Sequence, residues 1–215
     1  MFENNRSALE HKDFVESEIC ELLNTGRIVE VSNKPHLVNP LTVSINKNKK
    51  RLILDCSFLN TFIYQNKIKF DDWKSMLSFI EQRCFMFKFD IKQGYHHLDI
   101  FGEHQIFLGF SWYMNGIKKF YIFTVLPFGI TSGPFVYTKV KRALVKFWRK
   151  NQIKISVFLD DGLGCGHSYE ATKADASFVR ESLHNAGYIG NDKISQWYPV
   201  QDLIWLGIRF ISTTG

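Results

Sequence analysis

The feature that most constrains this chain is the run Val157-Phe158-Leu159-Asp160-Asp161-Gly162, two adjacent acids on an otherwise apolar stretch. Asp-Gly is a favoured two-residue hairpin turn, so the pattern predicts strands at Ile153–Leu159 and Leu163–Cys165 with Asp161-Gly162 between them. That accounts for Asp161 but not for Asp160, whose charge adds repulsion that folding alone would avoid. A third acid, Asp90, ends a strand in which Phe85, Phe87 and Phe89 alternate with Met86 and Lys88. Strands ending side by side would bring Asp90 to Asp160. Carboxylates gathered in this way need a hard cation, and Mg²⁺ suits them because it accepts one or two carboxylates and takes its remaining ligands from water and phosphates.

Such a hairpin must sit in a sizeable globular fold, and the 215 residues are ample for one. A hydrophobic fraction of 45% with 22% charged residues excludes wholesale disorder, and 20 Phe point to an aromatic core. The net charge of +6 favours a polyanionic partner. Cys20, Cys56, Cys84 and Cys165 form no CxxC pair, which argues against a zinc site or a disulfide scaffold and for reduced thiols in an intracellular protein. Nucleus and cytoplasm are not distinguished. No apolar run is long enough for a membrane span, and the polar N-terminus does not resemble a signal peptide.

The remaining pattern alternates strands and helices. A helix is predicted over Asp13–Asn24, with a capping box from Asp13 and Glu16 and a stop at Gly26. Strands follow at Val29–Val31, Leu41–Ile45 and Leu52–Leu54, the last two forming a hairpin with a basic tip. A second helix covers Asp72–Gln82, with Trp73, Met76, Leu77 and Ile80 on one face. Strands at Ile106–Trp112 and Phe120–Leu126 precede a helix that starts near Ser132 and tolerates Pro134 in its first turn. Its expected buried face is Val140, Ala143, Leu144, Phe147 and Trp148, leaving Lys139, Lys141, Arg142, Lys146, Arg149 and Lys150 for solvent or for template phosphates. Ser168 caps a further helix ending at Gly187, and Leu203–Phe210 is a closing strand. The order indicates an α+β fold with mainly antiparallel sheet packed on helices.

Six segments together resemble reverse transcriptases, in that family's motif order and over roughly residues 14–210. Phe89-Asp90-Ile91-Lys92-Gln93-Gly94-Tyr95-His96-His97 is similar to motif A, and Leu126-Pro127-Phe128-Gly129-Ile130-Thr131-Ser132-Gly133-Pro134 to motif B. Phe158-Leu159-Asp160-Asp161 resembles the YxDD of motif C. Arg51 to Asp55 with Leu59-Asn60 resembles the fingers motif, Asn191-Asp192-Lys193 motif D, and Trp205-Leu206-Gly207 the primer grip. The nearest type is the retrotransposon branch, with tyrosine-recombinase (DIRS-like) elements fitting best on Glu3-Asn4-Asn5, Ser7-Ala8-Leu9, Val38-Asn39-Pro40-Leu41 and Leu159 to Gly164.

The resemblance implies a right-hand polymerase with fingers over about residues 1–89 and palm, with some fingers, over 90–215. Asp90 and Asp160, helped by the Ile91 carbonyl, would be the principal ligands of two Mg²⁺ (or Mn²⁺) ions. Asp161 is expected to bind metal less directly, since neighbouring strand residues point to opposite sides. Lys47 and Arg51 match residues that grip the incoming triphosphate, Phe128 and Gly129 line the nucleotide, and Tyr95 matches the aromatic steric gate under its sugar. Lys193 matches the motif D lysine associated with protonating pyrophosphate. Phe158 stands where many relatives have Tyr, Phe128 where the retroviral branch has Gln, and Cys56-Ser57 where a template-contacting Arg is often found.

The implied activity is RNA-directed DNA synthesis on an RNA or DNA template with primer and dNTPs. The implied partners are the other domains of a polyprotein, thumb and RNase H, for which 215 residues leave no space. Two other readings are open at this point. One is a catalytically silent nucleic-acid-binding remnant, and the other is a non-enzymatic scaffold whose aromatic surface binds protein.

Overall fold

The computed structural model describes residues 3–46 and 49–213. In chain order the elements are α1 (Arg6–Glu10), α2 (Lys12–Asn24), β1 (Ile28–Val31), β2 (Leu41–Asn46), β3 (Lys49–Leu54), α3 (Ser57–Asn60), α4 (Trp73–Leu77) and β4 (Phe85–Asp90). After a 3₁₀ turn at Gly94–His97 come α5 (Gly102–Gln105), β5 (Gly109–Met114), β6 (Ile117–Phe123) and the long α6 (Gly133–Lys150). The chain continues through β7 (Lys154–Phe158), β8 (Asp161–Gly166), α7 (Tyr169–Asn185), β9 (Gln196–Val200), β10 (Asp202–Trp205) and β11 (Ile208–Ile211). Two units result: the chain up to Asn66 with Tyr95–Gly133, and Lys67–Gly94 with the chain from Pro134 onward.

The first unit holds an antiparallel sheet in the order β1-β6-β5 and the β2-β3 hairpin. Val15, Ile19 and Leu22 of α2 meet Leu41, Val43, Phe110, Tyr121 and Phe123 in one buried cluster. Gly26, at φ 68°, ends α2 as its sequence predicts, with the Arg27 N–H donating to the Leu22 carbonyl at 2.9 Å. The expected capping box does not form. The helix begins earlier, at Lys12, with no side-chain cap, and Asp13 falls in its first turn. Glu16 is engaged elsewhere, accepting from the Trp112 indole at 3.4 Å. The opening Asn4 and Ser7 tie down β2: the Leu41 N–H donates to Asn4 Oδ1 at 2.8 Å and the Val43 N–H to Ser7 Oγ at 3.1 Å.

In the second unit the sheet runs β7-β8-β4-β9, antiparallel throughout. Phe87 and Phe89 face Gly164 and Gly162 of β8 in direct register. A Cβ on either glycine would collide with the opposite ring. Trp197 stacks on Phe89 at 5.4 Å, and Trp148 of α6 meets Phe89 edge-on at 6.0 Å. Met86, on the other side of the strand, is buried with Met76, Leu163, Cys165, Leu203 and Trp205. This end of the strand is therefore covered on both faces.

Four expectations need correction. The hairpin turn is Leu159-Asp160, not Asp161-Gly162, because Phe158 pairs with Asp161 and Leu159 takes φ 47°. Gly162 is a strand residue whose missing side chain makes room for Phe89. The second helix is only Trp73–Leu77, opened by an Asp72–Ser75 capping box. Met76 is buried, but Trp73 and Leu77 are exposed. The closing strand is a hairpin, since Leu206 (φ 49°) and Gly207 (φ 78°) turn the chain between β10 and β11. On α6 the buried stripe is Tyr137, Lys141, Val145 and Trp148, while Val140 and Phe147 are about half exposed. The α+β class with mainly antiparallel sheet agrees with the sequence pattern. Among the described residues no helix is long and apolar enough to cross a membrane.

Candidate active site

The acidic centre is built where β4 and β8 end together in the second unit. Asp90 and Asp161 are direct cross-strand partners, so their side chains share a face. Asp160 sits in the turn just before, where strand alternation does not apply, and its carbonyl accepts from the Ile91 N–H at 3.0 Å. The expectation that Asp161 points away from Asp160 assumed strand alternation at both residues, whereas Asp160 is a turn residue. Asp160 Oδ1 lies over the bare Cα of Gly94 beside the Tyr137 hydroxyl, and a Cβ on Gly94 would collide with both.

Electrostatics mark these acids as a group. Burial, then Asp90, then Asp160 push the Asp161 carboxyl up to about 6, opposed by Lys141 and Lys88. Asp160 Oδ1 is buried without a hydrogen-bond partner among the described residues. An orphaned carboxylate oxygen beside two further acids is the donor set a hard divalent cation takes. No three His, Cys, Asp or Glu side chains among the described residues already close around a metal position. Mg²⁺ does not require such a cage, because water and substrate phosphates complete its octahedron.

Asn191 buttresses the centre. Its side chain and its backbone N–H both donate to Asp90, at 3.0 and 2.8 Å. The Asp90 N–H donates to Ser195 Oγ at 3.1 Å. Lys193 lies exposed in the turn between Asn191 and Ser195. Ile91 is buried and bridges to Gly190.

The motif C strand also borders a cleft of about 560 Å³, lined by Val157, Leu159 and one face of α6 that includes Lys139, Arg142 and Lys146. The basic residues of α6 do not all face outward. Arg149 is tied to Asp71 at 2.6 Å and to the Ile155 carbonyl, Arg142 donates to the Lys69 carbonyl at 2.5 Å, and Lys141 is 3% exposed. Lys139, Lys146 and Lys150 remain exposed. Lys141 is the residue that sequence reasoning misplaced: a lysine reads as surface, and only its i, i+4 spacing from Tyr137 and Val145 could have flagged the stripe.

The motif B loop is held within the first unit. Asn60 clamps it from both sides, donating to the Gly129 carbonyl at 2.9 Å and accepting from the Thr131 N–H at 2.8 Å. Gly129, at φ 115°, has the Leu54 carbonyl where a Cβ would lie, so the loop tolerates no side chain there. Phe128 stacks on Tyr95 at 5.1 Å, and Tyr95 is buried. His96 packs on Phe128 as well, at 5.3 Å. Arg51 is exposed on β3 opposite Ser44, and Lys47 lies outside the described residues.

The three residues matched to the primer grip differ in burial and backbone conformation. Trp205 is buried at 2% exposure in the core of the second unit against Phe210. Leu206 and Gly207 form the turn beyond it.

The chain resembles known proteins in sequence and in fold. A virus-encoded enzymatic polyprotein from Cestrum yellow leaf curling virus is 27% identical over 124 residues, covering 56% of this chain. The chain spans 19% of that polyprotein's length. Among solved structures, a foamy viral protease–reverse transcriptase in complex with double-stranded DNA superposes with a TM-score of 0.80 at 22% identity, over 99% of this chain and 42% of that one. The same enzyme with an RNA/DNA hybrid gives 0.79 at 22% identity, over 99% of this chain and 27% of the other. The fold is thus that of these reverse transcriptases. The model of the reverse transcriptase (RNA-dependent DNA polymerase) family matches residues 37–210, which include the acidic centre, the clamped loop and the β10–β11 turn, and the chain belongs to that family.

Proposed function

We propose that this chain carries out RNA-directed DNA synthesis, adding deoxynucleotides to a primer 3′-hydroxyl, as part of a longer polyprotein. The observation that carries the reading is the pairing of Asp90 with Asp161 beside the orphaned Oδ1 of Asp160. Two Mg²⁺ (or Mn²⁺) ions held by these carboxylates and the Ile91 carbonyl would activate the attacking hydroxyl and stabilise the leaving pyrophosphate. Asn191 fixes the Asp90 carboxylate for that purpose. Arg51, with Lys47, grips the triphosphate through charge-assisted hydrogen bonds. Tyr95, braced on Phe128, excludes a ribose 2′-hydroxyl. Lys193 donates a proton to the pyrophosphate. Leu206 and Gly207 carry the primer-grip role at the β10–β11 turn.

The template–primer duplex is bound through its phosphates, with Lys139 and Lys146 beside the cleft as contacts. Thumb and RNase H domains of the same polyprotein are the expected partners. A DIRS-like origin rests on the resemblance of the opening Glu3-Asn4-Asn5 and Ser7-Ala8-Leu9, of which Asn4 and Ser7 tie down β2. The test is extension of a labelled DNA primer on an RNA template with dNTPs and Mg²⁺. A ladder of extended products is expected. Duplex binding without any extension, also when the chain is joined to a thumb, would leave a binding protein only.

A further inference from the structure

Helix α6 carries a lysine where its buried stripe calls for an apolar side chain. Lys141 follows Tyr137 by one turn, is 3% exposed, and places Nζ 4.8 Å from the Tyr137 ring centroid. That Nζ has no hydrogen-bond partner among the described residues. The Tyr137 hydroxyl reaches the same bare Cα of Gly94 as Asp160 Oδ1, so one ring links the lysine to the acid.

Burying an ammonium without a hydrogen bond is costly, and so is gathering carboxylates. Each offsets the other here. Burial pulls the Lys141 ammonium down to about 8 while Asp160, Asp161 and Asp90 pull it back up. Lys88, the other cation acting on Asp161, is committed to the Ile204 carbonyl at 2.8 Å.

We propose that Lys141 is a tethered cation of the acidic centre, which offsets its carboxylate charge and lowers its affinity for divalent ions. Lys141 touches neither substrate nor product in this account. It is a positioning residue that acts through the charge it adds behind Asp160. The inference rests on the metal-site reading of Asp90, Asp160 and Asp161.

Mn²⁺ binding to the full chain at pH 7, followed by the electron paramagnetic resonance signal of the free ion, tests both separately. Lys141→Met removes the charge and keeps the volume, and Lys141→Arg keeps the charge. The half-saturating Mn²⁺ concentration should fall by about tenfold in Lys141→Met and stay near the wild-type value in Lys141→Arg. Lys141→Gln decides in the same way if the methionine variant melts early. Equal half-saturation in the neutral variants and the wild type would overturn the inference, provided Asp160→Asn weakens Mn²⁺ binding. Failure of Asp160→Asn to weaken it would instead overturn the metal site itself.

Discussion

Asn191 holds Asp90 at two points, its Nδ2 donating to the carboxylate Oδ2 at 3.0 Å and its N–H to the backbone carbonyl at 2.8 Å. The turn that precedes β9 is thereby locked to the strand that presents the acid. A hydrogen bond to a charged group contributes about 1.5–3 kcal/mol, and each ~1.4 kcal/mol is tenfold in rate. Asn191→Ala should therefore lower kcat by about ten- to a hundredfold. The KM for dNTP should stay nearly unchanged, since Asn191 positions a ligand and does not bind substrate. Steady-state kinetics with circular dichroism on both proteins check this, and a rise in KM at constant kcat would count against it.

A packing relationship of the same precision lies one step back from the centre. Gly162 leaves the space that the Phe89 ring fills. Gly162→Ala should destabilise the protein by about 1–3 kcal/mol through overpacking. Phe89→Leu in the same chain should recover part of that loss, because the smaller side chain vacates the position. Thermal or urea melts of the single and double variants measure the coupling, and strictly additive losses would contradict it.

His96 makes stability depend on pH. Burial, followed by the Arg27 and His97 charges, lowers its pKa from 6.5 to about 4. The unfolded chain thus takes up the proton first. Stability from the neutral imidazole is fully present above about pH 6.5 and is lost as pH falls toward about 4. The loss from this group amounts to about 3 kcal/mol at its limit. His96→Phe should flatten that part of the Tm-against-pH curve, and an unchanged slope between pH 6.5 and 4 would contradict the assignment.

Tyr95 tests the nucleotide side. Braced on Phe128, the ring is expected to exclude a ribose 2′-hydroxyl, a discrimination of about 10- to 200-fold. Tyr95→Ala should reduce the dNTP-over-rNTP preference by that factor. Its burial predicts a stability loss of about 3–5 kcal/mol as well. A melting loss with an unchanged substrate ratio would make Tyr95 a core residue alone.

What the sequence made legible follows from which forces are local. The caps at Gly26 and Ser168 depend on neighbours in the chain, and they stand where the pattern places them. The hairpin turn was misplaced because Asp-Gly is a strong local turn signal, whereas Gly162 answers to a ring on another strand. Val140 and Phe147 looked like core because they are apolar, yet the stripe that packs is the one containing Lys141. The one local mark of the buried lysine is its i, i+4 spacing from Tyr137 and Val145.

The most direct test of the account is single-nucleotide incorporation on an RNA template by the wild-type chain and by Asp160→Asn, each joined to a thumb if the chain alone does not hold the duplex. The substitution removes a carboxylate charge at constant volume, so the melting temperature should hold or rise. Incorporation should fall by several orders of magnitude, each ~1.4 kcal/mol of lost transition-state stabilisation being tenfold. Incorporation by Asp160→Asn within a few-fold of wild type would contradict the assignment of this centre to polymerisation.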